Sequence, residues 1–318
     1  MMRKKVVLYV AVAVITAALA GCGQAGGTVE SDAGMASVSG GETGANVSGT
    51  ESSTGVSGAS SEASEGVENA MSQMSCELRI VDGAEEGNLV LAGETAEALY
   101  VLNISDIAVY LDGEPAEASV LEDGMMAEVV CGTIMETYPA QFGGVESISV
   151  YSRGTRNNPM GTCYDLCGLY LQVLDDLWDK DSGLNDGASY VSVDLSDAPG
   201  GLTEGEKAAI TYIFACRHQV EGLSYSYEEL AKEGYLTEVE WASHPKDVPA
   251  LYQWEDGVLF SITAGEWEDG EVYSLPTIKF DAEKWRAPLG AYYFNDCMAG
   301  WAEAGSWGSY SIGGEMIS

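Results

Sequence analysis

The sequence predicts an α+β chain in which a small β-barrel is followed by helices packed on a curved antiparallel sheet. Three observations predict it: short β-branched runs broken by turn residues between Cys76 and Tyr151, helical apolar spacing with two capping signatures between Tyr164 and Gly234, and renewed strand-like runs from Gly257. The expected organisation is a leader over 1–21, a tether over 22–75, the barrel over 76–153 and the α+β part over 160–318.

The leader comes first. A basic patch, Arg3-Lys4-Lys5, precedes a charge-free apolar run from Val6 to Leu19, the layout of an export signal. The run is shorter than the ~20 apolar residues a bilayer-crossing helix needs. It leads into Leu19-Ala20-Gly21-Cys22, which resembles the lipobox of bacterial lipoproteins. The resemblance implies cleavage before Cys22, a diacylglycerol on the Cys22 thiol, and a chain held at the outer face of the bacterial cytoplasmic membrane, its lipid bilayer contact made through that acylated cysteine. The competing readings are an ordinary signal peptide with a cysteine at the cut site by chance, or an uncleaved anchor. Two or three acyl chains hold a protein stably, at about 0.8 kcal/mol per buried methylene.

Residues 23–75 are mostly Gly, Ser, Ala, Thr and Glu, with no Lys, Arg or aromatic residue. Such a composition buries too little apolar surface to offset its ordering entropy and is expected to be disordered. A flexible chain of about fifty residues spans roughly 40 Å.

Folded structure is expected from Cys76. Strands are predicted at Cys76–Val81, Leu89–Leu91, Leu99–Leu102, Ile107–Leu111, Met126–Cys131, Thr133–Tyr138 and Val145–Tyr151, with Asp82-Gly83, Asp112-Gly113 and Gly132 among the turns. Strands at this spacing suggest a small closed or partly open barrel. The stretch Leu121 to Val129, followed by Gly132, Ile134, Glu136 and Tyr138-Pro139-Ala140, resembles the OB-like barrels of exported Gram-positive lipoproteins, in which Tyr-Pro-Ala closes the barrel. A nucleic-acid face wants basic and stacking residues, and Arg79, Arg153 and Arg156 are the only bases between Cys76 and Met160.

Gly154, Asn157-Asn158, Pro159 and Gly161 mark the expected joint. Beyond it a buried helix is predicted over Tyr164–Trp178 and a strand over Ser189–Leu195. Thr203 with Glu206 and Ser226 with Glu229 are capping boxes: each hydroxyl and each carboxylate satisfies an otherwise unpaired backbone donor at a helix start. The first helix runs toward His218 and the second stops at Gly234. Strands are expected at Gly257–Thr263, Glu271–Phe280, Gly290–Cys297 continuing to Trp301, and Ser306–Ile312. Helices followed by a meander are similar in order to the cone-shaped NTF2-like folds. Lys284-Trp285-Arg286, Pro288 to Phe294, Trp307 and Gly313-Gly314-Glu315 resemble the tail of clostridial-type lipoproteins, a likeness that implies no function.

Charge narrows the partners. The formal charge is −36, and removing Arg3, Lys4 and Lys5 leaves 11 bases against 50 acids, or −39. There is no basic footprint for counterion release, so no nucleic-acid partner is expected. The acidity suits solubility of a tethered domain, with a calcium or cationic partner as the alternative.

Chemistry-bearing motifs are sparse. Cys163 and Cys167 sit one helical turn apart, with Cys216, His218, His244 and Cys297 elsewhere, but no second short-spaced pair completes a zinc site. No metal and no cofactor is expected. The six cysteines besides Cys22 (76, 131, 163, 167, 216 and 297) allow fifteen disulfide connectivities outside the cytoplasm, with buried free thiols as the alternative. Asp179 to Asp186 begins like a calcium loop, but Leu184 stands where glycine is required and Tyr190 where a bidentate Glu is; a solvated helix end accounts for it. No nucleophile motif surrounds His218 or His244. His218, near a helix end, suits a capping cation. Tyr292, Asp296, Trp301 and Trp307, with His218, are the candidate lining of a ligand pocket, against a packed aromatic core. The function expected is a non-enzymatic, lipid-anchored binding module for a protein, wall component or small ligand. The alternative is an extracytoplasmic hydrolase with a carboxylate-centred pocket in the second domain, in which Tyr292, Asp296 and His218 converge.

Overall fold

A computed structural model describes residues 73–152, 165–239, 250–266, 276–301, 307 and 309–318. The readings on Cys22, on the tether as far as residue 72, on the joint at 153–161, on Cys163, on His244 and on the turns at 268–270 and 303–305 lie outside these residues.

Seven strands come first: β1 (Met74–Asp82), β2 (Asn88–Ala92), β3 (Leu99–Asn103), β4 (Ala108–Leu111), β5 (Glu114–Ala116), β6 (Met126–Met135) and β7 (Ala140–Val150). β1, β2, β3, β7 and β6 close a five-stranded barrel in that order around the circle. Every contact in the ring is antiparallel except β3 with β7, where Tyr100 pairs with Ala140 and Val101 with Gln141. This is OB-like connectivity, and Ala140 of the Tyr-Pro-Ala stretch stands at the closing seam. Alternation along the strands sends Leu78, Ile80, Leu89, Leu91, Val129 and Ile148 inward, where they are buried. The β4–β5 hairpin rides on β7 through a parallel pairing.

Two strand readings are corrected. Over Ser306–Ile312 the described residues carry only the isolated bridges of Trp307 and Ser311, and the last strand follows at Gly314–Ile317. Gly132 does not divide two strands, because β6 runs through it from Met126 to Met135. Gly132 lies against the backbone oxygens of Gly143 and Gly144, next to a register shift at Val130/Cys131. The extra residue at that shift is Glu146 on β7, so Gly132 stays in the paired strand and the reversal comes later, before Ala140.

Helices and the second sheet follow: α1 (Leu166–Asp179), β8 (Tyr190–Asp194), α2 (Glu204–His218), β9 (Glu221–Leu223), α3 (Tyr227–Glu233), β10 (Thr237–Glu238), β11 (Tyr252–Gln253), β12 (Gly257–Ala264), β13 (Thr277–Ala287), β14 (Gly290–Gly300) and β15 (Gly314–Ile317). Both capping boxes are formed, and Gly234 ends α3 in the left-handed conformation at φ +82°. β10 and β11 make a small hairpin-like pair. The other strands form one sheet, ordered β15-β14-β13-β12-β8-β9. The fold class is the α+β arrangement expected, a barrel followed by helices on a sheet. One detail of the sheet differs: β12 to β15 are antiparallel, but β8 pairs parallel with β12 and β9 parallel with β8. α2 supplies the crossover that a parallel β8–β9 connection needs.

Residues 70–318 form one compact unit. Its main core joins α1, α2 and the inward residues Val258, Phe260, Ile262, Phe280 and Phe294 of the sheet to Val81, Ala92 and Leu99 of the barrel. α1 is buried on nearly every side, because the sheet, α2 and β1 all pack on it. The other face of the sheet carries Leu259 and Trp285, which α3 covers through Leu230 and Tyr227. Barrel and helices are also pinned by polar contacts. Glu206 gives one carboxylate oxygen to the Thr203 amide at 2.8 Å and the other to the guanidinium of Arg79 on β1. The Thr203 hydroxyl donates to the Gly93 carbonyl at 2.7 Å. A Cβ on Gly205 would sit 2.3 Å from that same carbonyl oxygen, so the helix can approach this closely only with glycine there.

Candidate functional site

A cavity of about 710 Å³ opens at one end of the barrel. Three chain segments build it: the β1–β2 turn (Ala84 to Gly87), the β3–β4 link (Ile104 to Ile107) and the stretch after β5 (Ala116 to Ser119, then Leu121). Local hydrogen bonds fix each wall. The Ile104 amide donates to the Gly87 carbonyl at 3.0 Å, Ile107 donates to Ile104 at 3.2 Å, and Leu121 donates to Ala118 at 3.1 Å. The Ala84 amide donates to the Asp123 carboxylate at 3.0 Å. Burial pushes the Asp123 carboxyl above its ordinary range, that hydrogen bond pulls it back, and the charges of Asp82, Asp165 and Glu85 push it further up.

The floor and rim of this cavity differ in character. Ile104, Val109 and Leu121 are buried at its base, whereas Glu85, Glu86, Asp106 and Glu117 are exposed around the mouth. Among the described residues none of these four carboxylates is engaged by a cation. The lining contains two serines but no imidazole, thiol or amine. Such a surface can hold a positively charged, partly apolar group; it offers no nucleophile with a base beside it.

A second cleft, about 620 Å³, lies beyond the carboxyl end of β8, between the starts of α2 and α3. Its polar groups are engaged with one another. Lys207 pairs with Glu204 at 2.8 Å, Ser196 donates to Asp194 at 2.6 Å, and Ser226 with Glu229 forms the α3 capping box.

The residues singled out from the sequence have the following partners. His218 closes α2, stacks on Trp178 with ring centroids 4.1 Å apart, and meets Asp175 of α1 at 2.9 Å. Arg217 beside it donates to Asp175 at 2.6 Å and to Asp82 of β1 at 3.2 Å. Burial alone would raise Asp175, but the hydrogen bonds from His218 and Arg217 and the guanidinium charge hold it below the ordinary carboxylate range. Tyr292 donates to Glu315, which Lys180 also contacts at 2.9 Å. Asp296 is exposed at φ +53°, and its amide donates to Asp281 at 2.7 Å. Trp301 and Trp307 are brought together across an isolated bridge, with centroids 6.2 Å apart. Tyr292, Asp296 and His218 each have a different set of partners.

Sequence reasoning missed a buried cation. Lys284 of β13 is 0% exposed. Its ammonium donates to the carbonyls of Trp178 at 3.0 Å, Lys180 at 2.6 Å and Asp181 at 3.3 Å, at the carboxyl end of α1. Arg286 donates to the carbonyls of Leu184 at 2.8 Å and Asp186 at 2.7 Å. The stretch that begins like a calcium loop keeps most of its side chains exposed, as a solvated helix end does, while its carbonyl oxygens accept from the chain's own cations, Lys284 and Arg286. The missed signal is one of phase: Ile278, Phe280, Ala282 and Lys284 share the inward face of β13. Among the described residues no group of three or more His, Cys, Asp or Glu side chains is placed to hold a metal ion. None of their helices is long and apolar enough to cross a membrane.

The class these observations define is an α+β protein with an OB-like barrel and an acid-rimmed cavity at the barrel's end. Comparison with protein-family models, with curated proteins and with solved structures finds no match for the chain.

Proposed function

We propose that this chain is a bacterial lipoprotein, anchored through acylated Cys22 on the outer face of the cytoplasmic membrane, that acts as a non-enzymatic binding module. The lipobox-like Leu19-Ala20-Gly21-Cys22 after a basic, then apolar leader supports the anchor. A single observation carries the binding reading: the cavity at the barrel end pairs an apolar floor of Ile104, Val109 and Leu121 with a rim of Glu85, Glu86, Asp106 and Glu117. The ligand class that complements it is a basic, partly apolar peptide segment. Apolar contact would supply affinity, and the four carboxylates would steer positive charge to the mouth.

The test is a titration of the full chain with a Lys-Leu-Lys peptide amide as probe, followed by chemical-shift changes in the barrel. Saturable, salt-sensitive binding that maps to Ile104, Val109 and Leu121, and that weakens at least about tenfold in Glu86→Gln/Glu117→Gln, is the expected result. Binding that ignores both salt and those substitutions, or none at all, would remove the reading.

A further inference from the structure

Two thiols in the barrel are placed for chemistry that the binding reading does not use. β1 and β6 are antiparallel neighbours in which Met74 faces Cys131 and Cys76 faces Val129. Cys76 lies two residues beyond Met74 and therefore points to the same side of the sheet as Cys131. Both line the barrel interior, Cys131 fully buried and Cys76 partly so. In this register the two side chains are diagonal neighbours across the β1–β6 pair. The other described cysteines have different neighbours: Cys216 bonds to Tyr212, Cys167 lies near Glu206 and Arg79, and Cys297 lies near Asp281 and Asp296.

We propose that Cys76 and Cys131 are an oxidisable dithiol, which an external disulfide converts into a disulfide strap between β1 and β6. The reaction is thiol–disulfide exchange, and the oxidant is the incoming disulfide, R–S–S–R. The Cys76 thiolate attacks one of its sulfurs, forming a mixed disulfide and releasing one thiol. The Cys131 sulfur then attacks Cys76 and expels the second. Two protein thiols are oxidised, one external disulfide is reduced to two thiols, and the two protein protons leave on those products.

The order of attack follows from the surroundings. Burial pushes both thiols above their ordinary range, but the neighbouring sulfur lowers Cys76 and raises Cys131. Cys76 is also the one that solvent reaches. The strap would fasten the first strand of the barrel a few residues beyond the end of the tether, so tension in the tether could not peel β1 from β6.

The experiment uses the reduced full chain in detergent, treated while folded with oxidised glutathione. The remaining thiols are alkylated after denaturation and the chain is mapped by mass spectrometry. Arg79 stands between the two cysteines, so trypsin leaves them on separate peptides unless they are bridged. The expected result is a Cys76–Cys131 linked peptide pair in most molecules, abolished by reductant. Cys131→Ser is expected to trap glutathione on Cys76, and Cys76→Ser to leave Cys131 unreacted. Complete alkylation of both wild-type thiols, or glutathione retained on Cys76 beside a free Cys131, would overturn the proposal. An adduct on Cys131 in Cys76→Ser would overturn the order of attack. Neither outcome bears on the anchor or on the cavity, since the reaction needs only the folded chain.

Discussion

Replacing Lys284 with methionine removes the cation around which the end of α1 is built. The methionine fills nearly the same volume, so the loss is confined to the three hydrogen bonds to Trp178, Lys180 and Asp181. Charge-assisted bonds contribute roughly 1.5–3 kcal/mol each. The third is long, so about 5 kcal/mol is lost in all. Against this stands the cost of keeping an ammonium dry: burial pushes Lys284 down from 10.5 to about 8, while the charges of Asp181 and Asp179 pull the other way. At about 1.4 kcal/mol per pH unit the shift corresponds to about 3 kcal/mol that methionine does not incur. Lys284→Met should therefore lower stability by about 2 kcal/mol at pH 7 and the melting temperature by about 4–8 °C. The pH dependence has a definite sign. Between about 8 and 10.5 the unfolded chain binds more protons at this site than the folded one, so native stability rises with pH on this account. The gap between native and variant should widen across that window. Urea unfolding followed by tryptophan fluorescence at several pH values reads it directly. A variant as stable as the native chain at pH 7, or a gap that closes above pH 8, would refute the reasoning.

Two further outcomes follow from the polar contacts around α2. Glu206→Ala deletes both the partner of Arg79 and one arm of the α2 capping box, in surroundings where the two side chains are 18% and 10% exposed; a loss of about 3–5 kcal/mol in urea unfolding is expected, with Glu206→Gln milder because its amide oxygen can still cap. Asp175→Asn should cost about 1 kcal/mol at pH 7, since the carboxylate is a third exposed. The Asp175 carboxyl is depressed in the folded chain, so its contribution is present above about pH 4 and lost as pH falls through the folded value; native and variant stabilities should converge in acid.

Local signals in the sequence were legible and non-local ones were not. Thr203 with Glu206 and Ser226 with Glu229 lie three residues apart, so each capping box is set within one turn and can be read without knowing the fold. The strands of the barrel were readable for the same reason, through alternation and turn residues. Gly132 misled because glycine is common in turns, and only the pairing of Cys131 and Thr133 with β7 shows the strand running through it. The parallel edge of the second sheet was hidden because β8 and β12 are more than sixty residues apart, and nothing within either strand encodes direction. The barrel-end cavity arises from three loops that touch only after closure. Lys284 was overlooked because a lysine is ordinarily assigned to the surface, although its phase along β13 pointed inward.

The central claim is that the chain works outside the cell, held by lipid at Cys22. Purification from the producing cell's membranes, followed by mass spectrometry of the intact protein and its N-terminal peptide, tests this most directly. The account predicts a first residue at Cys22 carrying a diacylglycerol thioether. An N-terminus at any other residue, or an unmodified Cys22 sulfur, would contradict it.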